Sequence, residues 1–272
     1  MRRVLSQYAH RGFTLLELMI SLGIFLLICG AAFTLLATSQ QRSRTDTQVL
    51  TSFQEARLGL DQIVRDVNDA GYPPPTYTDG IPADSASSPF GWSPGYTVPT
   101  PCQIGTGGGG TCITPTDWDL IIEANPTPLA GPPVQWIRYS LQGTTLLRGS
   151  ANKGTALDPA VQTFPNLVPF VQNVVNNSAP AQIAQYQLSY PNMFPGGAPV
   201  PIFSYICDSP AVPQSPPPPT VPCPIAGADN SPANIRDVII TLIVASPLPD
   251  ARTGQPRLVQ LTGRGRRINP NQ

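Results

Sequence analysis

The most pronounced pattern in the chain is an apolar run from Phe13 to about Thr38. At about 1.5 Å per residue, a helix of this length crosses the roughly 30 Å hydrocarbon core of a bilayer. The next segment is polar, yet no proline occurs before Pro73, and apolar residues keep helical spacing. These positions are Leu50, Phe53, Ala56, Leu60, Ile63, Val64 and Val67. The pattern predicts one helix from about Phe13 to Ala70, apolar in its first half and amphipathic in its second.

The periodicity changes after this helix. Gly71 and the prolines from Pro73 onward predict its end, and residues 73–115, rich in Pro, Gly, Ser and Thr, are expected to be irregular. Alternating and β-branched segments then predict strands at 118–123, 134–141, 144–148, 182–190, 202–206, 235–245 and 257–262. The second and third of these predict a hairpin that turns at Gln142-Gly143. The fold class is therefore α+β, a long N-terminal helix followed by an antiparallel β head with long loops.

The apolar run at the N-terminus has three interpretations. A secretory signal peptide needs a shorter apolar stretch before small residues such as Ala37-Thr38-Ser39. A lipoprotein site at Cys29 is disfavoured because bulky Ile28 precedes it. A retained transmembrane helix fits the length, but it must account for Glu17, a carboxylate inside the apolar run that is costly in lipid without a partner. Glu17 either reaches the interface on its own or pairs with a cation.

The nine residues from Arg11 to Met19, RGFTLLELM, resemble the processing site of type IV prepilins and type II secretion pseudopilins. The resemblance implies cleavage between Gly12 and Phe13 by a prepilin peptidase and methylation of the new Phe13 amine. It also implies that Glu17 pairs with the N-terminal amine of a neighbouring subunit. Such a carboxylate–ammonium pair compensates two charges in lipid, so it acts as a register device for assembly.

Residues 54–72, and the order of elements in the head, resemble large minor pilins of the PilW type and the J-type minor pseudopilins. The proline that many major pilins carry in the middle of the membrane segment is absent, which favours a minor subunit. The resemblance implies a type IV pilin-like fold. We expect a leader at 1–12, a transmembrane helix at 13–38, an amphipathic continuation at 39–71 and an extracytoplasmic head at 72–272.

Composition sharpens the functional class. Charged residues are 12% of the chain, with 16 basic against 16 acidic, so a basic nucleic-acid-binding face is unlikely. The one histidine, His10, would leave with the leader, which excludes histidine-dependent catalytic triads and histidine-bearing zinc sites from the mature chain. We therefore expect no enzymatic activity and no cofactor. The leader arginines Arg2, Arg3 and Arg11 predict a cytoplasmic N-terminus and an outer head.

Four of the five cysteines, Cys102, Cys112, Cys207 and Cys223, lie in the predicted head, where an even number in an oxidising compartment favours disulfides. Three connectivities are possible, and the local pairs Cys102 with Cys112 and Cys207 with Cys223 are favoured. A zinc site built from all four is disfavoured because neither pair has the short spacing of zinc ligands. The fifth, Cys29, is expected to be a small apolar filler.

Two further features are expected to have structural roles only. The C-terminal arginines Arg252, Arg257, Arg264, Arg266 and Arg267 are expected to form a solvated edge, with contact to DNA or an acidic subunit as the alternative. The oxygens of Asp208 and of Asp229-Asn230-Ser231 could bind calcium, but such loops more often close turns on their own backbone. We expect no metal site.

These observations favour a structural minor pilin that initiates, caps or decorates a type IV pilus. The partners expected are a prepilin peptidase, other pilin subunits and an inner-membrane assembly platform. The chain is expected in the inner membrane and then in the fibre. The alternatives are a type II secretion minor pseudopilin, and a pilus-tip adhesin or DNA-uptake module whose contact surface would be the loops 73–115 and 207–223.

Overall fold

The computed structural model describes residues 13–71, 89–94, 102–105, 111–124, 134–153, 158–161, 164–208, 221–225, 230–250 and 253–267. The chain divides into two compact units that meet in sequence between Thr47 and Gln48. One long helix begins in the first unit and ends in the second, which also contains the described strands. The predicted α+β class, a long helix followed by antiparallel sheets, is confirmed.

The long helix, α1, spans Leu15–Asn68 without interruption. Thr14 precedes it, and its side-chain oxygen accepts a hydrogen bond from the Glu17 N–H at 3.3 Å, which satisfies an otherwise free donor of the first turn. Gly71 lies beyond the other end with φ of 79°, a left-handed conformation that favours glycine. Its N–H donates to the Glu123 carbonyl at 2.9 Å, so the end of the helix is tied to the head.

The helical stripe predicted for the second half of α1 is buried or, at Phe53 and Val64, half-buried, with one exception. Ala56, Ile63 and Val67 are fully buried and Leu60 nearly so. The prediction for Leu50 is wrong, because its side chain is 60% exposed. Leu50 lies two full turns before exposed Arg57 and on the same side of the helix, away from the sheets.

The described strands form two antiparallel sheets. The first has the order β1–β2–β3–β4–β5, with bounds Phe90–Gly91, Asp119–Ala124, Gln135–Gln142, Thr145–Asn152 and Val168–Val171. The second has the order β7–β6–β8–β9, with bounds Val221–Pro222, Phe203–Cys207, Ile235–Pro249 and Pro256–Arg266. The β3–β4 hairpin turns through Gly143, whose φ of 59° suits glycine.

One apolar core joins α1 to both sheets. It contains Leu60 and Ile63 of α1, Ile122 and Leu146 of the first sheet, and Ile240 of the second. Two smaller clusters cover the outer faces: one contains Trp92, Ile121, Trp136 and the Cys102–Cys112 pair, and the other contains Ile183, Tyr186, Phe194 and Ile243. The second half of α1 is therefore a core element of the head.

Several strand predictions need correction. Residues 182–190 are not a strand: a second helix, α2, spans Pro180–Ser189. Proline suits the first turn of a helix, and the two buried residues, Ile183 and Tyr186, are three apart, which matches a helical face. Strand β1 lies inside the segment 73–115 that was expected to be irregular. Strand β9 continues to Arg266, beyond the predicted end at 262.

Glycines in β9 allow α1 to approach the sheet closely. A Cβ at Gly265 would lie 2.6 Å from Val67 Cβ and Cγ1 and 3.3 Å from the Val64 carbonyl oxygen. A Cβ at Gly263 would lie 2.9 Å from Leu60 Cδ1 and 3.0 Å from Val64 Cγ2, both terminal methyl groups of side chains. The shortest distance at each glycine is below ordinary contact, but only at Gly265 does it involve a Cβ atom, which is bonded directly to the helix backbone.

We predict that Gly265→Ala lowers the free energy of unfolding by about 1–3 kcal/mol, because Val67 cannot move without moving α1. Gly263→Ala is the matched control on the same strand and face, and it should cost less than Gly265→Ala because its nearest neighbours are methyl groups of Leu60 and Val64, which can adjust more easily than a Cβ. Urea denaturation of the full chain in detergent, followed by circular dichroism, measures both. Equal, small effects of the two substitutions would contradict the close contact.

Candidate functional site

The first part of α1 presents an exposed apolar surface. Phe13 is 87% exposed, and most large apolar side chains as far as Leu36 are more than half exposed. The helix contains an 18-residue window with mean hydropathy 2.4, so by length and composition it can cross a membrane. A soluble protein avoids a continuous apolar surface of this size, which indicates that lipid or other helices cover it.

Glu17 lies in this apolar surface and has local hydrogen-bond partners. Its Oε2 accepts from the Thr14 backbone N–H at 3.0 Å and from the Thr14 hydroxyl at 3.1 Å. With the bond from Glu17 N–H back to the Thr14 hydroxyl, the pair forms a capping box at the start of α1. The carboxylate is exposed and has no cation among its described partners, so it remains accessible to one. The expected cleavage site includes Gly12, which lies outside the described residues.

A polar cluster missed by the sequence analysis fixes the second half of α1 to the first sheet. Asp66 Oδ2 accepts hydrogen bonds from the Tyr139 hydroxyl at 2.6 Å and from Arg148 Nη2 at 2.9 Å. Gln62 donates to the other oxygen of Asp66 at 2.7 Å. The guanidinium of Arg148 also lies over the Tyr139 ring, 5.7 Å from its centre. No sequence signal indicated this cluster, because Asp66 is 73 and 82 residues from its partners on the sheet.

A second buried charge pair joins the strand β2 to the end of β4. Lys153 Nζ and Glu123 Oε1 are 2.6 Å apart, and Trp136 Nε1 donates to the other Glu123 oxygen at 3.2 Å. The Lys153 side chain is fully buried and that of Glu123 is 4% exposed. Removal of one partner would leave an uncompensated charge in the core, so this pair constrains how the strands assemble.

The C-terminal arginines are not a simple solvated edge. Arg264 Nη2 is 2.6 Å from Oδ2 of buried Asp237, and Arg267 Nη2 is 3.4 Å from Asp208. Asp208, one of the calcium candidates, is thus already engaged by arginine. Asn230 accepts from and donates to the backbone of Ile225, which is the turn-closing role preferred from sequence. Asp229 and Arg252 lie outside the described residues.

The four head cysteines form two local disulfides, Cys102–Cys112 and Cys207–Cys223. Each closes a short loop, which limits the conformations of the unfolded chain and so stabilises segments with little packing of their own. Cys29 is a free thiol in α1. Within the described ranges, no group of three metal-ligating His, Cys, Asp or Glu side chains occurs.

Comparison with known proteins supports the interpretation of the N-terminus. A family model described as the prokaryotic N-terminal methylation motif matches residues 8–35. The match supports a type IV pilin or pseudopilin, a structural class, and it implies processing by a prepilin peptidase and assembly with other pilin subunits. It also indicates membrane anchoring through the apolar helix. No curated protein and no solved structure matches the chain.

The buried tyrosines predict a loss of stability at alkaline pH. Burial raises the pKa of Tyr139, with a further contribution from the Asp66 carboxylate, and burial likewise raises the pKa of Tyr205 well above 10. The unfolded chain ionises tyrosine at a pKa of about 10, so it gains free energy above that pH while the folded chain stays protonated. Stability is therefore complete below about pH 10 and falls above it.

We predict a decrease of roughly 1.4 kcal/mol per pH unit above pH 10 for each of these tyrosines. Tyr139→Phe should lower stability at pH 7, because it leaves Asp66 with one hydrogen bond fewer, but it should flatten the alkaline slope by about one proton. Tyr139→Phe with Tyr205→Phe should flatten it by about two. Urea titrations between pH 8 and 11 measure the slopes, and identical slopes in all three proteins would contradict the assignment.

Proposed function

We propose that the chain is a minor subunit of a type IV pilus, similar to the PilW type. It is cut between Gly12 and Phe13, methylated on the Phe13 amine and held in the inner membrane by residues 13–38. Its N-terminus faces the cytoplasm, the amphipathic continuation covers 39–71, and the head, 72–272, is outside. The assembly platform then inserts it into a fibre, which it initiates, caps or decorates. The observation that carries this proposal is the methylation motif over residues 8–35.

The geometry at the start of α1 suggests how Glu17 selects register. In the single chain its carboxylate is held by two donors of Thr14, both neutral. A neutral donor compensates a carboxylate in lipid less well than an ammonium group does. The methylated Phe13 amine of an incoming subunit therefore competes favourably for Glu17, and only the subunit position that brings the two charges together avoids an unpaired charge.

Glu17→Gln and Glu17→Ala separate charge from capping. Glutamine keeps an oxygen that can accept from Thr14, whereas alanine loses both the charge and the acceptor. We expect both variants to be cleaved after Gly12 and both to be at least about tenfold depleted in fibres, since each lacks the ionic partner of the amine. Immunoblots of sheared fibres against membrane fractions measure incorporation. Normal incorporation of Glu17→Gln would contradict the register role.

The mature N-terminus tests the proposal as a whole. Mass spectrometry of the chain purified from membranes should show a first residue of methylated Phe13. Gly12→Leu is the control, and it should accumulate as the uncut precursor. Any other mature start would overturn the proposed processing. Recovery in secretion pseudopili instead of pili would replace the pilus assignment with that of a minor pseudopilin.

A further inference from the structure

Among the described strands, β9 is the edge of the second sheet. It pairs with β8 along one side, in regular register from Leu258 to Arg266. In an antiparallel strand the N–H and C=O of one residue point to the same side, and the side alternates from residue to residue. The direction of any one amide in this stretch therefore fixes the direction of all the others.

Two hydrogen bonds establish that direction. The Arg266 N–H donates to Asn68 Oδ1 at 2.9 Å, and the Leu258 N–H donates to the Tyr190 hydroxyl at 3.2 Å. Neither acceptor belongs to β8. The backbone N–H groups of the even-numbered residues of β9 therefore point away from β8. The hydrogen bonds of β8 support the same direction. Thr241 lies opposite Thr262, and its N–H donates to the Ile202 carbonyl rather than to β9.

Gln260, Thr262 and Arg264 are also even-numbered, so their N–H groups point to the side of β9 that faces away from β8. No described residue accepts a hydrogen bond from these three N–H groups, and all three residues are exposed. The window 260–264 is about 17 Å long. It contains no proline and no bulge, two features that protect an edge from pairing, and its one charged residue is Arg264. Side chains accept from the amides of Leu258 and Arg266, just outside the window, and no described acceptor lies within it.

The charge beside this window is positive. Two carboxylates, of Asp208 and Asp237, are shared by four guanidinium groups: Arg236, Arg264, Arg266 and Arg267. The side chains of Arg264 and Arg266 are 48% and 61% exposed. An excess of cationic side chains beside this window favours an acidic partner, because complementary charge steers and orients association.

We propose that the window 260–264 of β9 receives an extended acidic segment of a neighbouring fibre subunit by β-strand addition. The inference rests on the proposed function, which supplies the neighbour. α1 lies over the inner face of this strand, with Leu60 against Gly263 and Val67 against Gly265. A subunit that packs beside the second half of α1 is thereby brought to the open edge, where main-chain hydrogen bonds give affinity and the arginines select acidic side chains.

A proline at position 262 tests the backbone contribution. Thr262→Pro removes one outward N–H and spares the bonds to β8, so an edge strand tolerates it. Thr262→Val is the matched control, which changes the side chain and keeps the donor. We expect Thr262→Pro to be depleted about tenfold in fibres and Thr262→Val to be incorporated like the parent. Melting temperatures of the two variants within about 3 °C exclude misfolding as the cause.

Hydrogen exchange gives a readout that does not depend on a substitution. The amides of Gln260, Thr262 and Arg264 should exchange freely in the full chain in detergent and become at least about tenfold protected in fibres. The amides of Leu258 and Arg266, already bonded to side chains, should change little. Charge is tested by Arg264→Glu, expected to be depleted about tenfold, against Arg264→Lys, expected to be retained.

The outcomes separate the two proposals. If the parent and Thr262→Pro enter fibres equally and the three amides remain unprotected, the strand-addition inference is overturned and the proposed function stands. If the amides are already protected in the isolated chain, a segment of the same chain occupies the edge and the inference is overturned. If the parent never enters fibres, the proposed function fails and this inference fails with it.

Discussion

The contact between the second half of α1 and the two sheets is the interaction on which the head depends. Leu60 and Ile63 contribute to a core shared by strands of both sheets, so both sheets bury inner-face side chains together with the helix. Close approach is possible because β9 presents Gly263 and Gly265 to the helix. Asp66 adds a polar attachment to the first sheet through Tyr139 and Arg148. The second half of the helix is thus a core element of the head, and the head cannot fold around its sheets alone.

Several charged residues of the described head form ion pairs with a buried partner. Glu123 with Lys153, and Asp237 with its arginines, join segments that are distant in sequence. Buried pairs of this kind contribute little net stability but exclude arrangements that would leave a charge unpaired. With 34 prolines, the chain has long loops that form little regular secondary structure and need other contacts to hold their conformation. Buried ion pairs and two local disulfides provide such contacts.

The proposed assembly and the proposed strand addition share one physical basis. Glu17 is a carboxylate in an apolar surface with neutral local donors, and the centre of the β9 edge is a row of amides without described acceptors. Each group has an incomplete set of partners among the described residues, and a neighbouring subunit can complete it. Register along the helix and contact at the head would then be selected by different chemistry, ionic in one place and main-chain hydrogen bonding in the other.

The sequence by itself determined the long helix, the apolar stripe on its second half, most of the strands and the motif around Phe13 and Glu17. Each of these depends on the spacing of neighbouring residues or on a contiguous stretch of sequence. The prediction from sequence was wrong for α2, since an apolar and polar mixture of ten residues fits either period until its neighbours decide. Only the tertiary structure decided the division into two sheets, the partners of Asp66 and Glu123, and the open edge of β9. Those features depend on groups that lie far apart in the chain, and no local pattern encodes which of them meet.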